Sequence, residues 1–317
     1  MAAVGKFTRQ EAPPSQLLGN FGADHGGGRG NYQMVPIGDF RTWSVDIKSG
    51  LARAASADRG VAVIASDENS QSFKTLTFNG PGTFTFVIRA GGNGRAGHTA
   101  VVLEDENGAF LDDIQVSVKN VKPVRYNIVL LSDAVTPSSM VFSEAQATNV
   151  MDQVTTYYLN EANTNLVRNK THSLAVKRNL SDKNGVLQLD ELTDNKEKII
   201  FKEIMNSGFG TSVDVVYVFT WQMEGAKFAP IITTGLSLDG RTERATLRTG
   251  PTLIYINSLG TQLTNQVQTA AHETGHHFGL GHGGQPPFFL MHEGGKAAIG
   301  GGRMKQDDID RVNSSGT

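Results

Sequence analysis

His272-Glu273-Thr274-Gly275-His276-His277-Phe278-Gly279-Leu280-Gly281-His282 decides how the rest of the chain is read. Histidines four apart on a helix leave the same face one turn apart, the spacing two imidazole nitrogens need to reach one metal ion. His272 and His276 have that spacing, and Glu273 follows the first of them. Gly279 ends the helix, because glycine enters the left-handed turn without steric cost. The turn lets the chain double back and present His282 as a third ligand. Three histidines leave the fourth position of a tetrahedral zinc open to water, which separates a catalytic site from a closed structural one. The plainer alternative is a helix carrying solvated histidines. Against it, five of the eight histidines in the chain (His272, His276, His277, His282 and His292) are gathered in this one region.

The expected chemistry is hydrolysis. Zinc lowers the pKa of its water to about 7, far below its value in bulk, and polarises a carbonyl. Glu273 is the expected general base: it takes a proton from the water and passes it to a leaving amine.

These residues resemble the metzincin metalloproteases, whose signature H-E-x-x-H-x-x-G-x-x-H is matched by His272, Glu273, His276, Gly279 and His282. The resemblance implies a zinc endopeptidase with one catalytic ion held by His272, His276 and His282. It also implies a methionine turn beneath the metal. Phe288-Phe289-Leu290-Met291-His292 is the candidate, with Met291 as the hydrophobic base of the site; an ordinary core methionine is the alternative. The Gly-Leu-Gly-His ending resembles bacterial secreted members, including the mucin-cleaving group. One position departs from the pattern. Astacin- and serralysin-like enzymes carry a tyrosine two residues after the turn methionine, and this chain has Glu293. No tyrosine at the oxyanion is therefore carried over; His292 and His277 are read as polar residues near the site, with substitution for that tyrosine as the alternative.

The chain has 317 residues, which suggests about two domains. Net charge is −2, so nothing in the electrostatics favours nucleic acid or an anionic membrane. No run approaches the roughly 18 apolar residues of a membrane span. There is no cysteine, which excludes disulfides and a cysteine latency switch. Residues 1–20 lack an apolar core of the signal-peptide kind. The expected location is extracellular, with the signal removed or export by another route; retention inside is the alternative.

Residues 1–30 read as a flexible tail, with Ala12-Pro13-Pro14-Ser15 and Gly26-Gly27-Gly28 as breakers. Residues 31–121 read as a β-sandwich-like accessory domain. Alternating runs at 43–47, 61–64, 73–78, 83–89, 99–103 and 114–118 are separated by turn signals such as Glu106-Asn107-Gly108. Such a domain binds a glycan or a protein, serves as a targeting or pro-domain, or is an accessory module without chemistry. Val35-Pro36-Ile37-Gly38-Asp39 loosely resembles the zinc-blocking aspartate of astacin-like pro-segments.

Residues 122–317 read as the zinc protease domain. Strands are expected at 125–131, 173–176, 213–219, 228–234 and 252–256. Helices are expected from the Ser143-Glu144-Ala145-Gln146 capping box to about 163, at 190–205, at 261–278 and at 304–313. The fold class is thus α+β and multidomain: the β domain, then a metzincin-like twisted mixed sheet with an active-site helix and a small C-terminal subdomain. Residues 182–191 partly follow an EF-hand loop. Asp182, Asn184, Leu187 and Glu191 match positions 3, 5, 8 and 12, but position 1 is Leu180. A structural calcium ion would lack its first carboxylate, so an Asn-Gly turn is the better account. Gly294-Gly295 and Gly300-Gly301-Gly302 flank the methionine turn, as a pocket wall or as a plain loop. The edge strand near 228–236 is expected to hold an extended protein or glycoprotein substrate by its backbone. The rival reading is a binding or adhesion protein, or a secreted effector whose proteolysis is restricted to one partner.

Overall fold

The computed structural model describes residues 4–8, 31–136, 141–181, 187–188, 196–221, 223–224, 232–233, 235–238, 252–256, 263–282, 290–291, 304 and 306–314. It is mixed α+β with several sheets and more strand than helix. The chain divides into two compact units. The first is Met1–Lys122 with Leu159–Asn163 and Gly302–Ser314; the second is Pro123–Tyr158 with Thr164–Gly301 and Ser315–Thr317.

The first unit begins with β1 (Val4–Thr8), β2 (Asn31–Pro36), β3 (Phe40–Ser49), β4 (Leu51–Ser56) and β5 (Ala62–Ala65). It continues with β6 (Thr75–Asn79), β7 (Gly82–Ala90), β8 (Gly97–Asp105) and β9 (Phe110–Lys119). One sheet has the order β1-β3-β7-β5 and another the order β2-β9-β8-β4-β6. Both contribute to one core, where Phe7, Trp43, Phe86, Ala54, Leu103 and Val116 are buried. The period-2 alternation produces this, since every second side chain faces the core. Val4–Thr8 departs from the expected tail. Its five residues pair antiparallel with β3 and bury Phe7, so a short strand gains order from the sheet it joins. β4 was not anticipated because its alanines carry little strand signal; Gly50, at φ 76°, makes the tight turn into it. Asp39 is in this unit, ion-paired to Arg41 at 2.6 Å.

The second unit follows from β10 (Lys122–Ser132), α1 (Glu144–Ala162), β11 (Thr164–Ala175), β12 (Leu187–Gln188), α2 (Lys196–Asn206) and β13 (Val215–Phe219). Then come β14 (Met223–Glu224), β15 (Ile232–Thr233), β16 (Gly235–Leu238), β17 (Thr252–Ile256) and α3 (Leu263–His277). Its main sheet has the order β11-β10-β13-β17-β16. β10, β13 and β17 run parallel, and β16 lies antiparallel at the edge. β13 and β17 are buried at every residue, as continuous apolar runs in a parallel sheet require. The capping box at the start of α1 forms: Gln146 N–H donates to Ser143 Oγ at 3.2 Å, and Ser143 N–H to Gln146 Oε1 at 2.9 Å. β11 extends well before the expected 173–176, because Val167 and the polar residues 168–170 are exposed there and hide the strand signal.

One grouping departs from chain order. The last helix, α4 (Gln306–Ser314), belongs to the first unit although sequence order places it in the second. Asp310 meets Lys119 Nζ at 2.7 Å and Tyr32 OH at 3.3 Å, and Asn313 Nδ2 donates to the Ala162 carbonyl at 2.8 Å. The EF-hand-like stretch falls outside the described residues except 187–188 and its Leu180 start, as do 9–30 and the glycines at 294–302. Among the described residues no helix is long and apolar enough to cross a membrane.

The second unit also holds a buried carboxylate. Asp133 Oδ2 accepts from Leu180 N–H at 2.8 Å, and Oδ1 accepts from Thr136 N–H at 2.7 Å and Val135 N–H at 3.0 Å. Burial alone would push its pKa up, but these donors win and hold it below the usual carboxylate range. A depressed carboxylate stabilises the fold above its unfolded pKa and loses that contribution as pH falls through the folded one. Wild-type stability is therefore expected to decline below about pH 4. Asp133→Ala is expected to cost about 1–3 kcal/mol at pH 7 and to flatten the acid limb. Urea titrations of both proteins from pH 3 to 7 check this, and parallel curves would refute it.

Candidate metal centre

The histidine-rich stretch folds as α3 and the turn after it. Val267, Ala270, Ala271, Thr274 and Phe278 make its buried face, and α3 packs on β16 and β17. Two hydroxyls pin that face. Tyr158 OH donates to the Ala271 carbonyl at 2.7 Å. Thr274 Oγ1 donates to the Ala270 carbonyl at 2.6 Å and accepts from Tyr217 OH at 2.8 Å. Tyr217 is fully buried, and burial drives its pKa far up, so it stays a neutral donor. Tyr126, packed edge-on against Tyr217 at 5.3 Å, is pushed up to about 12, again chiefly by burial.

The helix ends as expected at Gly279, whose φ is 80°. Leu280 N–H donates to the Gly275 carbonyl at 3.0 Å and Gly279 N–H to the His276 carbonyl at 2.9 Å, the two bonds of a Schellman cap. This cap brings His282 back to the helix. His282 Nε2 lies 3.2 Å from both His272 Nε2 and His276 Nε2. All three rings are half-buried, and their ligand atoms lie within 4.8 Å of one another.

The opposite ring nitrogens settle the protonation of the two helical histidines. His272 Nδ1 is 2.7 Å from the Leu290 carbonyl, and His276 Nδ1 is 2.8 Å from the Leu280 carbonyl. A carbonyl only accepts, so each Nδ1 carries the proton and each Nε2 presents a lone pair. Lone pairs that converge on a third imidazole within hydrogen-bond distance repel unless a cation or a shared proton lies among them. The donor set therefore fits a metal ion, and the two carbonyls play the orienting part that outer partners of metal-bound histidines play.

Glu273 is buried at 8% exposure beside His272. Met291 is wholly buried. A Cβ added at Gly275 would collide with its sulfur and stand 3.5 Å from Leu280 Cδ1. A glycine in a helix interior costs up to about 1 kcal/mol relative to alanine, so Gly275 needs a packing reason, and Met291 supplies it. His277 is half-buried, while His292 and Glu293 fall outside the described residues. Sequence reading did not anticipate the roles of Gly275, Leu280, Leu290 and Tyr217, because backbone carbonyls and cross-element contacts leave no residue-type signature. A cavity of about 640 Å³ elsewhere in the second unit, lined by Pro123, Arg125, Met205, Thr211, Ser212 and Asp214, contains none of these residues.

No family model and no curated protein matches the chain. Solved structures give partial likenesses only. A conjugative transposon lipoprotein from Bacteroides eggerthii is 13% identical over 36% of this chain and 92% of that one, at a TM-score of 0.20. A bacterial hydrophobin is 11% identical over 37% of this chain and 92% of that one, at 0.19. A Bacteroides ovatus GH5 xyloglucanase is 7% identical over 60% of this chain and 43% of that one, at 0.22. Scores this low carry no argument about fold or function.

Proposed function

We propose that this chain is a zinc-dependent endopeptidase of the metzincin type, acting on protein or glycoprotein substrates outside the cell. The observation that carries the reading is the convergence of three histidine Nε2 atoms, two of them with tautomers set by backbone carbonyls. Two nitrogens at about 2.0–2.1 Å from a tetrahedral centre stand about 3.3–3.4 Å apart. The 3.2 Å separations of His282 from its two partners are close to that.

When bound, zinc supplies Lewis acidity to a substrate carbonyl and acidifies a water. The chain's own groups do the rest. His272, His276 and His282 would hold the ion through their Nε2 atoms. Glu273 accepts the proton of the attacking water and returns it to the departing amine nitrogen. Its burial keeps competing water away from the carboxylate. Met291 and Gly275 form the floor that fixes α3 against the turn. An extended substrate adds along the edge strand expected near 228–236, which overlaps β16, the last strand of the main sheet among the described residues, pairing by its backbone as strands do. The two sheets of the first unit are read as a β-sandwich accessory module, which binds a glycan or protein or serves as a targeting or pro-domain.

The test is zinc-dependent cleavage of a mixed panel, unfolded casein beside a heavily O-glycosylated mucin. Cleavage that chelation abolishes and zinc restores is expected. The substrate cut then separates a broad protease from a glycoprotein-directed one. Stoichiometric zinc binding with neither protein cut, by any preparation of the full chain, would count against the reading.

A further inference from the structure

We propose that Gln268 determines specificity at this site, donating a hydrogen bond from its side-chain amide to an oxygen on the substrate side chain beside the cleaved bond. The proposal rests on the endopeptidase reading and deepens it.

The argument starts from the two faces of α3. Val267, Ala270, Ala271, Thr274 and Phe278 recur at helical spacing and form the buried packing face. Gln268, His272 and His276 recur every four residues and form a separate ridge. Gln268 thus lies on the ridge of the metal-facing histidines, one turn before His272, an axial rise of about 6 Å. It is only 5% exposed, yet its amide Nε2 has no hydrogen-bond partner. Buried amide donors are nearly always paired, because leaving one unpaired forfeits its hydration. On the packing face of the same helix, Thr274 bonds both Tyr217 and the Ala270 carbonyl. A leucine or methionine at 268 would fill the place without the penalty. An unpaired donor kept on the ligand ridge is what a site for an oxygen acceptor contains.

The size of the gap indicates what reaches it. An extended peptide advances about 3.3 Å per residue, so a side chain next to the scissile bond can span the distance from the metal to the amide. The acceptor is a hydroxyl or carboxamide oxygen, as on Ser, Thr or Asn. Aliphatic side chains of equal size are disfavoured because they leave the donor buried and unpaired.

The experiment titrates zinc-loaded, full-length protein with short peptide hydroxamates that differ only at the residue beside the hydroxamate, Thr against Val and Asn against Leu. The hydroxamate anchors on the metal, so binding reads the side chain without turnover. Wild type is expected to bind the oxygen-bearing member of each pair about tenfold tighter or more. Gln268→Leu is expected to lose that preference, keep its zinc and melt no lower than wild type; Gln268→Met repeats the test should the leucine variant misfold. Equal Kd values within each pair for wild type would overturn the proposal, as would failure of every hydroxamate to bind. A lower Tm with the preference intact would make Gln268 a packing residue and overturn it equally. Selective binding without hydrolysis of the matching peptides would sink the endopeptidase reading and leave the role of Gln268 standing.

Discussion

Glu273→Gln is expected to retain zinc and fold while losing peptide hydrolysis by about 10²–10⁴-fold in kcat. The substitution keeps the size and the hydrogen-bonding capacity of the side chain but removes its ability to take a proton. Glu273 is buried, at 8% exposure, so solvent does not readily supply a replacement base. The neighbouring ligands are untouched, because the His272 and His276 tautomers are set by the Leu290 and Leu280 carbonyls and not by the glutamate. Zinc content by mass spectrometry and kcat on one unfolded substrate together decide the matter. Full zinc with undiminished kcat would remove Glu273 from the mechanism; lost zinc would make it a structural partner of the site instead.

Gly275→Ala is expected to weaken the site even though alanine is the better helix former. The intrinsic gain is at most about 1 kcal/mol. Against it stands a methyl group driven into the Met291 sulfur, and overpacking of this kind typically costs about 1–3 kcal/mol. Met291 cannot move alone, since the preceding carbonyl, Leu290, receives the His272 Nδ1–H. A shift of that acceptor loosens the ring, and loss of such outer partners typically lowers metal affinity by 10–100-fold. Met291→Ala in the same chain opens the space again, so the double variant is expected to recover zinc affinity relative to Gly275→Ala, a coupling that a double-mutant cycle measures. A more stable Gly275→Ala with unchanged zinc affinity would show that the close approach has no consequence.

Much of this was legible in the sequence, for identifiable reasons. The spacing of His272 and His276 and the glycine at 279 act locally, and the structure places them on a helix closed by a Schellman cap that returns His282. The capping box at Ser143 and the fully buried β13 and β17 were local in the same sense. The rest depended on partners distant in sequence. β1 is a strand only because β3 lies beside it. β11 exposes Val167 and the polar residues 168–170, so alternation does not mark it. The packing of Met291 against Gly275, and the orphaned amide of Gln268, arise where separate segments meet, and no pattern of residue types along the chain announces them.

The membership of the first unit has a consequence for dissecting this protein. Its pieces come from three stretches: residues up to Lys122, a short return at Leu159–Asn163, and Gly302–Ser314. The second unit is in effect an insertion into the first, interrupted once by the end of α1. A cut at the Lys122/Pro123 junction, which chain order suggests as the natural boundary, would not release two intact halves. The N-terminal fragment would lose Asp310 from Lys119 and Tyr32, and the Asn313 amide from the Asn120 carbonyl. The C-terminal fragment would carry α4, whose Ile309 and Val312 are buried in the whole chain, without the Lys119 and Tyr32 that its Asp310 meets. During synthesis the same arrangement means that the first unit cannot be completed until Gly302–Ser314, which follows the metal-site segment in sequence, has been made.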